Sequence, residues 1–185
     1  EVIRGPYVSV LAKRSQLTDL LVCALPVSAP EAPAGFDLLT RVMFDDAAPM
    51  LLLPDAWTGS LSPKRVLIAW NGSGEAARAV RAALPLLRRA TDVVVLDGER
   101  PGPTGFSPPP LGLRDWLNRQ GVVAQWSSLE VISDVGMALQ ARAQAMHADL
   151  LVMGAWGHSR MNELVLGGAT RWLLDNAAQP LLLSH

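Results

Sequence analysis

The sequence predicts an α/β protein. The expected core is a five-stranded parallel sheet with helices on both faces, preceded by half of a second copy of the same unit. Three observations carry this. From Lys64 onward, short apolar runs alternate with helix-like runs until five strands are spelled out. Those runs are apolar without in–out alternation, as expected of strands covered on both faces. Finally, segments of residues 1–63 recur, in order and at nearly constant spacing, in the second half of the chain.

The elements follow in order. "RVLIAW" (65–70) is a buried strand that ends abruptly at "NGSG". "GEAARAVRAALPLLRRA" (74–90) is rich in helix formers, with arginines toward its C-terminal end, where the helix dipole favours positive charge. "DVVVLD" (92–97) is a second strand. "ERPGPTGFSPPP" (99–110) holds five prolines and is a loop, since proline offers no backbone donor. "LGLRDWLNRQG" (111–121) is a helix closed by Gly121, and "VVAQWSSLEV" (122–131) a third strand. "DVGMALQARAQAMHA" (134–148) is a helix capped by Asp134. "DLLVMGA" (149–155) is a fourth strand, "GATRWLLDNAA" (168–178) a helix and "PLLLS" (180–184) a fifth strand.

Composition bounds the function. The chain has 185 residues, 50% of them hydrophobic, and a net charge of -1, which suits a soluble globular protein of one or two small domains. No basic bias points to nucleic acid, and no apolar run approaches the ~20 residues of a membrane span. The single cysteine, Cys23, excludes a disulfide within the chain. It predicts a small core residue in a reducing, cytoplasmic compartment. No signal peptide is visible. The chain opens on Glu1 without a Met, as a processed or partial chain would.

The repeat organises the first third. "TDLLVCALP" (18–26) resembles "ADLLVMGAW" (148–156), and "TRVMFDDAAPMLLL" (40–53) resembles "TRWLLDNAAQPLLL" (170–183). Asp19 and Asp149, Thr40 and Thr170, Arg41 and Arg171, and Asp45 and Asp175 all lie 130 apart; "EVI" recurs at 1–3 and 130–132. The expected organisation is the C-terminal half of a degenerate first domain (1–55), a linker (56–63) and a complete second domain (64–185). The last strands, 49–54 and 180–184, are expected to pair antiparallel between the two halves, and between chains in a homodimer.

In a parallel α/β sheet, ligands bind outside the carboxyl ends of the strands. Two loops there carry glycine chemistry: "AWNGSG" and "GAWGHSRMNELVLGG". The second runs into a helix start, where free backbone N–H groups favour an anion. Glycine lets the backbone approach a phosphate closely; a tight turn is the plainer explanation of Gly154 and Gly157. At a spacing of 130 the glycines Gly154, Gly157, Gly167 and Gly168 fall on Ala24, Val27, Asp37 and Leu38. The first copy thus has a carboxylate where a phosphate would approach, so any ligand is expected in the second.

The segments "RVLIAWNGSGEAARAV", "ADLLVMGAWGHSR" and "VLGGATRWLLDNAAQPLLLS" resemble the universal stress protein family, and its tandem two-domain bacterial members most. The family's hallmark is Gly-x2-Gly-x9-Gly followed by Ser or Thr. Gly154, Gly157 and Gly167 match it, and Gly168 departs from its last position. The resemblance implies an adenine-nucleotide α-hydrolase-like sheet of strand order 3-2-1-4-5 and ATP as the ligand. Carried over residue by residue, it places Ala69, Trp70 and Asn71 in the first-strand loop. Met153, Gly154, Gly157, Gly167, Gly168, Ala169 and Thr170 fall in the phosphate and ribose segment. Asn71 stands where ATP-binding members have Asp, and the adenine contact falls near Asp97 or Gly98. Trp70 is bulky for a site wall; it either stacks on a base or fills the pocket. His158 is a further candidate for a phosphate contact, as is Arg160, or both are loop surface.

Other candidates are weaker. Neither Ser159 nor Ser73 sits in a Gly-x-Ser-x-Gly elbow. His147, His158 and His185 lack metal-ligand spacing, and His147 reads as a solvent-facing helix end. With no nucleophile–base constellation, the sequence points away from an enzyme with a dedicated substrate and toward at most slow ATP hydrolysis. Two functions remain: a nucleotide-binding stress-response regulator, and a scaffold of the same fold that binds no nucleotide.

Overall fold

A computed structural model describes residue 10 and residues 13–25, 48–60, 62–98, 112–129, 134–155 and 168–185; among these are seven strands, four helices with defined bounds and further helical residues at 10 and 13–15. The bounded elements run β1 (Leu21–Ala24), β2 (Met50–Leu53), β3 (Arg65–Trp70), α1 (Gly74–Leu87), β4 (Asp92–Asp97), α2 (Leu113–Arg119), β5 (Gln125–Ser128), α3 (Val135–Ala145), β6 (Leu150–Gly154), α4 (Gly168–Asn176) and β7 (Leu181–Ser184). The repeated "EVI" segments, the proline-rich loop and residues 40–47 lie outside the described residues.

The sheet corrects the sequence reading in its strand count. It has seven strands, ordered β1-β2-β7-β6-β3-β4-β5, and not five. The five strands from β3 to β7 do take the order 3-2-1-4-5, all in parallel. The added two arise because β2 pairs antiparallel with β7, joining β1 and β2 to the same sheet. That pairing satisfies the last-strand edges within one chain, where an open apolar edge would otherwise invite association.

The register at this junction shows how the two halves differ. Leu21 N–H donates to Pro49 carbonyl (2.9 Å) and Leu151 N–H to Pro180 carbonyl (3.0 Å). Leu25 N–H donates to Leu53 carbonyl and Ala155 N–H to Ser184 carbonyl. The donors lie 130 apart and the acceptors 131 apart. The constant spacing of 130 expected from sequence therefore slips by one residue before β7. The residue accommodated there is Gln179, which sits between Ala178 and Pro180, whereas Ala48 is followed directly by Pro49. With this spacing, the pairs Met50↔Leu183 and Leu52↔Leu181 exchange with each other, and Leu51↔Leu182 maps onto itself. The junction is locally two-fold about that central pair.

Alternation along each buried strand sends side chains to two cores. On one face Leu67, Leu96, Leu151, Met153, Leu181 and Leu183 pack with Leu139 and Ala143 of α3 and Leu173 and Leu174 of α4. On the other, Val66, Ile68, Trp70, Val93 and Val95 pack with Ala76, Ala79, Val80, Ala83 and Leu87 of α1 and with Leu113 and Leu117 of α2. β2 joins both, through Met50 and Leu52 on the first and Leu51 on the second.

The helix ends have local causes. Ser73 caps α1 by accepting from Ala76 N–H, and Asp134 caps α3 by accepting from Gly136 and Met137 N–H. α2 ends at Gly121, whose φ of 77° is left-handed; Gly121 N–H donates to Asn118 carbonyl and Val122 N–H to Leu117 carbonyl. This paired closure holds Val122 to the helix, so β5 begins at Gln125 and not at 122. α3 closes in the same way with exposed His147 in the left-handed position, at φ 50°.

Candidate functional site

The carboxyl ends of β3, β5 and β6 lead toward the N-termini of α1, α3 and α4, so several helix dipoles present their positive ends along one edge of the sheet. These N-termini are not equivalent. α1 holds its own hydroxyl cap, Ser73, with Glu75 in the first turn. α3 is capped by the Asp134 carboxylate, 2.7 Å from Gly136 N–H and 3.2 Å from Met137 N–H. α4 opens with Gly168 and has no acidic residue in its first turn. Gly168 is exposed, and a Cβ placed on it would meet no atom of a described residue within 4 Å. Among the described helix starts, α4 is the one whose first turn has no acidic residue and whose first residue, Gly168, is exposed with no described atom over it.

Gly154 has a different reason. A Cβ there would lie 2.5 Å from Ala76 N and 2.8 Å from Glu75 Cβ. Its lack of a side chain lets β6 end directly beneath the first turn of α1. Gly136 acts likewise between α3 and α4, since a Cβ would come 2.9 Å from Trp172 Cβ and 3.1 Å from Ala169 carbonyl. The sequence reading passed over Gly136, although a glycine inside a helical run costs stability and so hints at a packing reason.

The remaining candidates divide by face. Ala69 and Met153 are neighbours across β3 and β6, and both pack on the α3–α4 side. Trp70 goes to the opposite side: it is 3% exposed and packs with α1 and α2. Asn71 Oδ1 accepts from Ser73 N–H at 3.1 Å, closing the β3–α1 turn over Gly72, whose φ is 75°. Its side-chain amide N–H groups make no hydrogen bond to a described residue. Ala169 is half-buried; Thr170 is buried, which withdraws it from solvent as a substitute for the hydroxyl missing at Gly168. At Asp97 and Gly98, where the resemblance would put an adenine contact, Gly98 N–H donates to Trp70 carbonyl and Asp97 carbonyl accepts from Leu129 N–H. Gly157, His158, Arg160 and Gly167 lie outside the described residues.

Beside this edge Glu75, Arg78 and His185 interact. Arg78 lies 3.2 Å from Glu75 Oε1, and its Nε donates to the His185 carbonyl. Burial by itself raises the Glu75 carboxyl. Its own backbone N–H, the Ser73 hydroxyl, Arg78 and His185 outweigh that and hold it below the ordinary range. Burial lowers the His185 imidazole, Glu75 opposes the shift and Arg78 adds to it. Burial pushes the Cys23 thiol up, as for a half-buried side chain packed against the core. Among the described residues no cluster of His, Cys, Asp or Glu is arranged to hold a metal ion, and no helix is long and apolar enough to cross a membrane.

No protein-family model and no curated protein matches the sequence. The fold is nevertheless that of solved universal stress proteins. A universal stress protein from Archaeoglobus fulgidus superposes with a TM-score of 0.70 at 19% identity, over 100% of this chain and 70% of its own. A protein of unknown function from Pseudomonas aeruginosa superposes with a TM-score of 0.61 at 14% identity, covering 98% of this chain and 68% of its own. Another universal stress protein structure from A. fulgidus gives 0.52 at 18% identity, covering 65% of this chain and 98% of its own.

Proposed function

We propose that the chain is a universal stress protein of the two-unit type, and that residues 64–185 bind the phosphates of an adenine nucleotide, with ATP as the ligand. The observation that carries this is the start of α4: no described atom within 4 Å of a Cβ on the exposed Gly168, and no carboxylate in the first turn. The phosphate would meet backbone N–H groups there, and the free amide N–H groups of Asn71 would be available to a ribose oxygen. The fold shared with universal stress proteins over the whole chain supports the same reading. The role is regulatory, in the cytoplasm, by reporting nucleotide state to a partner protein. Because β2 and β7 already pair within the chain, a homodimer would form through another edge; of the two outer strands among the described residues, β1, with Val22 52% exposed, is the more apolar.

A scaffold that binds no nucleotide is the competing reading, favoured by Gly154, whose lack of a side chain is accounted for by packing on α1 alone. Calorimetric titration with ATP separates the two. The first requires a dissociation constant in the micromolar range, abolished by Gly168→Asp. That substitution puts a carboxylate where helix stability tolerates or favours it while repelling phosphate. Absence of binding up to millimolar ATP overturns it.

A further inference from the structure

A cavity of about 330 Å³ opens on the α1–α2 face of the sheet, away from the start of α4. Its apolar lining includes Trp70, from the last position of β3, Val80 of α1, and Leu113 and Trp116 of α2. Trp70, Val80 and Leu113 are buried and belong to the core, so these parts of the lining are held by the packing of the fold. The volume falls within the range of small-ligand sites, as does the pattern of an apolar body with few polar groups.

The polar groups of the lining are Arg81, Asp115 and Arg119. None of the three makes a hydrogen bond or an ion pair with another described residue, even though Asp115 and Arg119 are a turn apart on α2. Among the described residues the exposed part of the lining therefore carries two unengaged guanidiniums against one carboxylate, a net positive charge beside Trp116. A guanidinium takes a carboxylate or sulfonate in paired hydrogen bonds, and flat rings stack favourably against tryptophan.

We infer that this cavity is a binding site for a small aromatic acid, with its rings on the half-buried Trp116 over a floor that includes the edge of Trp70, and its anionic group on Arg81 and Arg119. The site is separate from the proposed nucleotide site: Trp70 lies on the opposite face of the sheet from Met153. The inference stands or falls independently of ATP binding.

Calorimetry with 2-naphthoate and its uncharged counterpart 2-naphthamide tests it on the whole chain. The acid is expected to bind with one-to-one stoichiometry and at least tenfold more tightly than the amide. In the Arg81→Gln, Arg119→Gln double variant the acid should fall to the affinity of the amide, because only the charge recognition is removed. Ala77→Phe, which builds a ring into the lining, should abolish binding of both; Ala77→Met serves if circular dichroism shows the Phe variant unfolded. Equal affinity for acid and amide, discrimination that survives the double variant, binding unaffected at Ala77, or no binding at millimolar naphthoate would each overturn the inference.

Discussion

Gly154 Cα lies so close to the backbone of Ala76 that a Cβ on it would stand 2.5 Å from Ala76 N. Gly168, fourteen residues later in the same glycine-rich segment, has no described atom within 4 Å of the corresponding position. One motif thus contains a glycine required by packing and one that the packing of the described residues leaves free. Gly154→Ala is expected to destabilise the fold by about 2–3 kcal/mol, since backbone cannot yield as a flexible side chain can. Gly168→Ser is expected to leave the melting temperature nearly unchanged. It would restore a hydroxyl at the start of α4 and tighten ATP about tenfold, the effect of one hydrogen bond to a charged group. Thermal melts and calorimetry on the two variants check this; equal losses of stability would refute the distinction.

That contrast shows where sequence reasoning reached and where it stopped. Strands such as "RVLIAW" and "DVVVLD" were legible because two-sided burial leaves a continuous apolar run, and β3 and β4 match those bounds. Asp134 and Gly121 were legible as caps because their chemistry is local. The purpose of Gly154 was not, because it depends on α1, which lies almost eighty residues away in sequence. Trp70 was ambiguous because alternation alone does not say which face meets which helix. The seven-strand sheet hid behind two matching last strands, whose pairing was foreseen without its consequence that one continuous sheet results.

The central Leu51↔Leu182 pair gives a direct test of that junction. Antiparallel partners stand about 4.5–5.5 Å apart at Cα, within disulfide reach. In a Cys23→Ser background, the combined Leu51→Cys and Leu182→Cys substitutions should cross-link within one chain on mild oxidation. The product should migrate as a compact monomer on a non-reducing gel, at a yield independent of protein concentration. A covalent dimer as the main product would show that the two strands pair between chains instead.

Acid should destabilise the fold in two steps. Both His185 and Glu75 titrate lower in the folded chain than their ordinary values of 6.5 and 4.5. The unfolded chain therefore binds each proton more readily, and stability falls as pH falls. The contribution of His185 is complete above the ordinary imidazole value and is lost below it; that of Glu75 is lost below the ordinary carboxylate value. Melting temperatures should decline from about pH 7.5 to about pH 5.5 and again below about pH 4.5. His185→Gln should flatten the first decline and Glu75→Gln the second. A melting temperature that rises on acidification through the imidazole range would contradict the assignment.

Gln179, the residue by which the second half exceeds the first, is buried at 7% exposure and faces Gln140 of α3 at 5%. Their amides bond reciprocally: Gln140 Nε2 donates to Gln179 Oε1 and Gln179 Nε2 to Gln140 Oε1, both at 3.1 Å. Each amide satisfies the other inside the protein, so the pair should behave as a unit. Gln179→Leu alone leaves the Gln140 amide without its partner and should cost about 1–3 kcal/mol, the penalty of an unsatisfied buried polar group. Gln140→Leu should cost a similar amount. The double Leu variant should recover most of the loss, because no stranded amide remains, giving a coupling energy of at least ~1 kcal/mol in a denaturant-unfolding cycle. Additive losses would mean that solvent reaches the pair and that Gln179 fills the extra position without fixing the approach of α3 to β7.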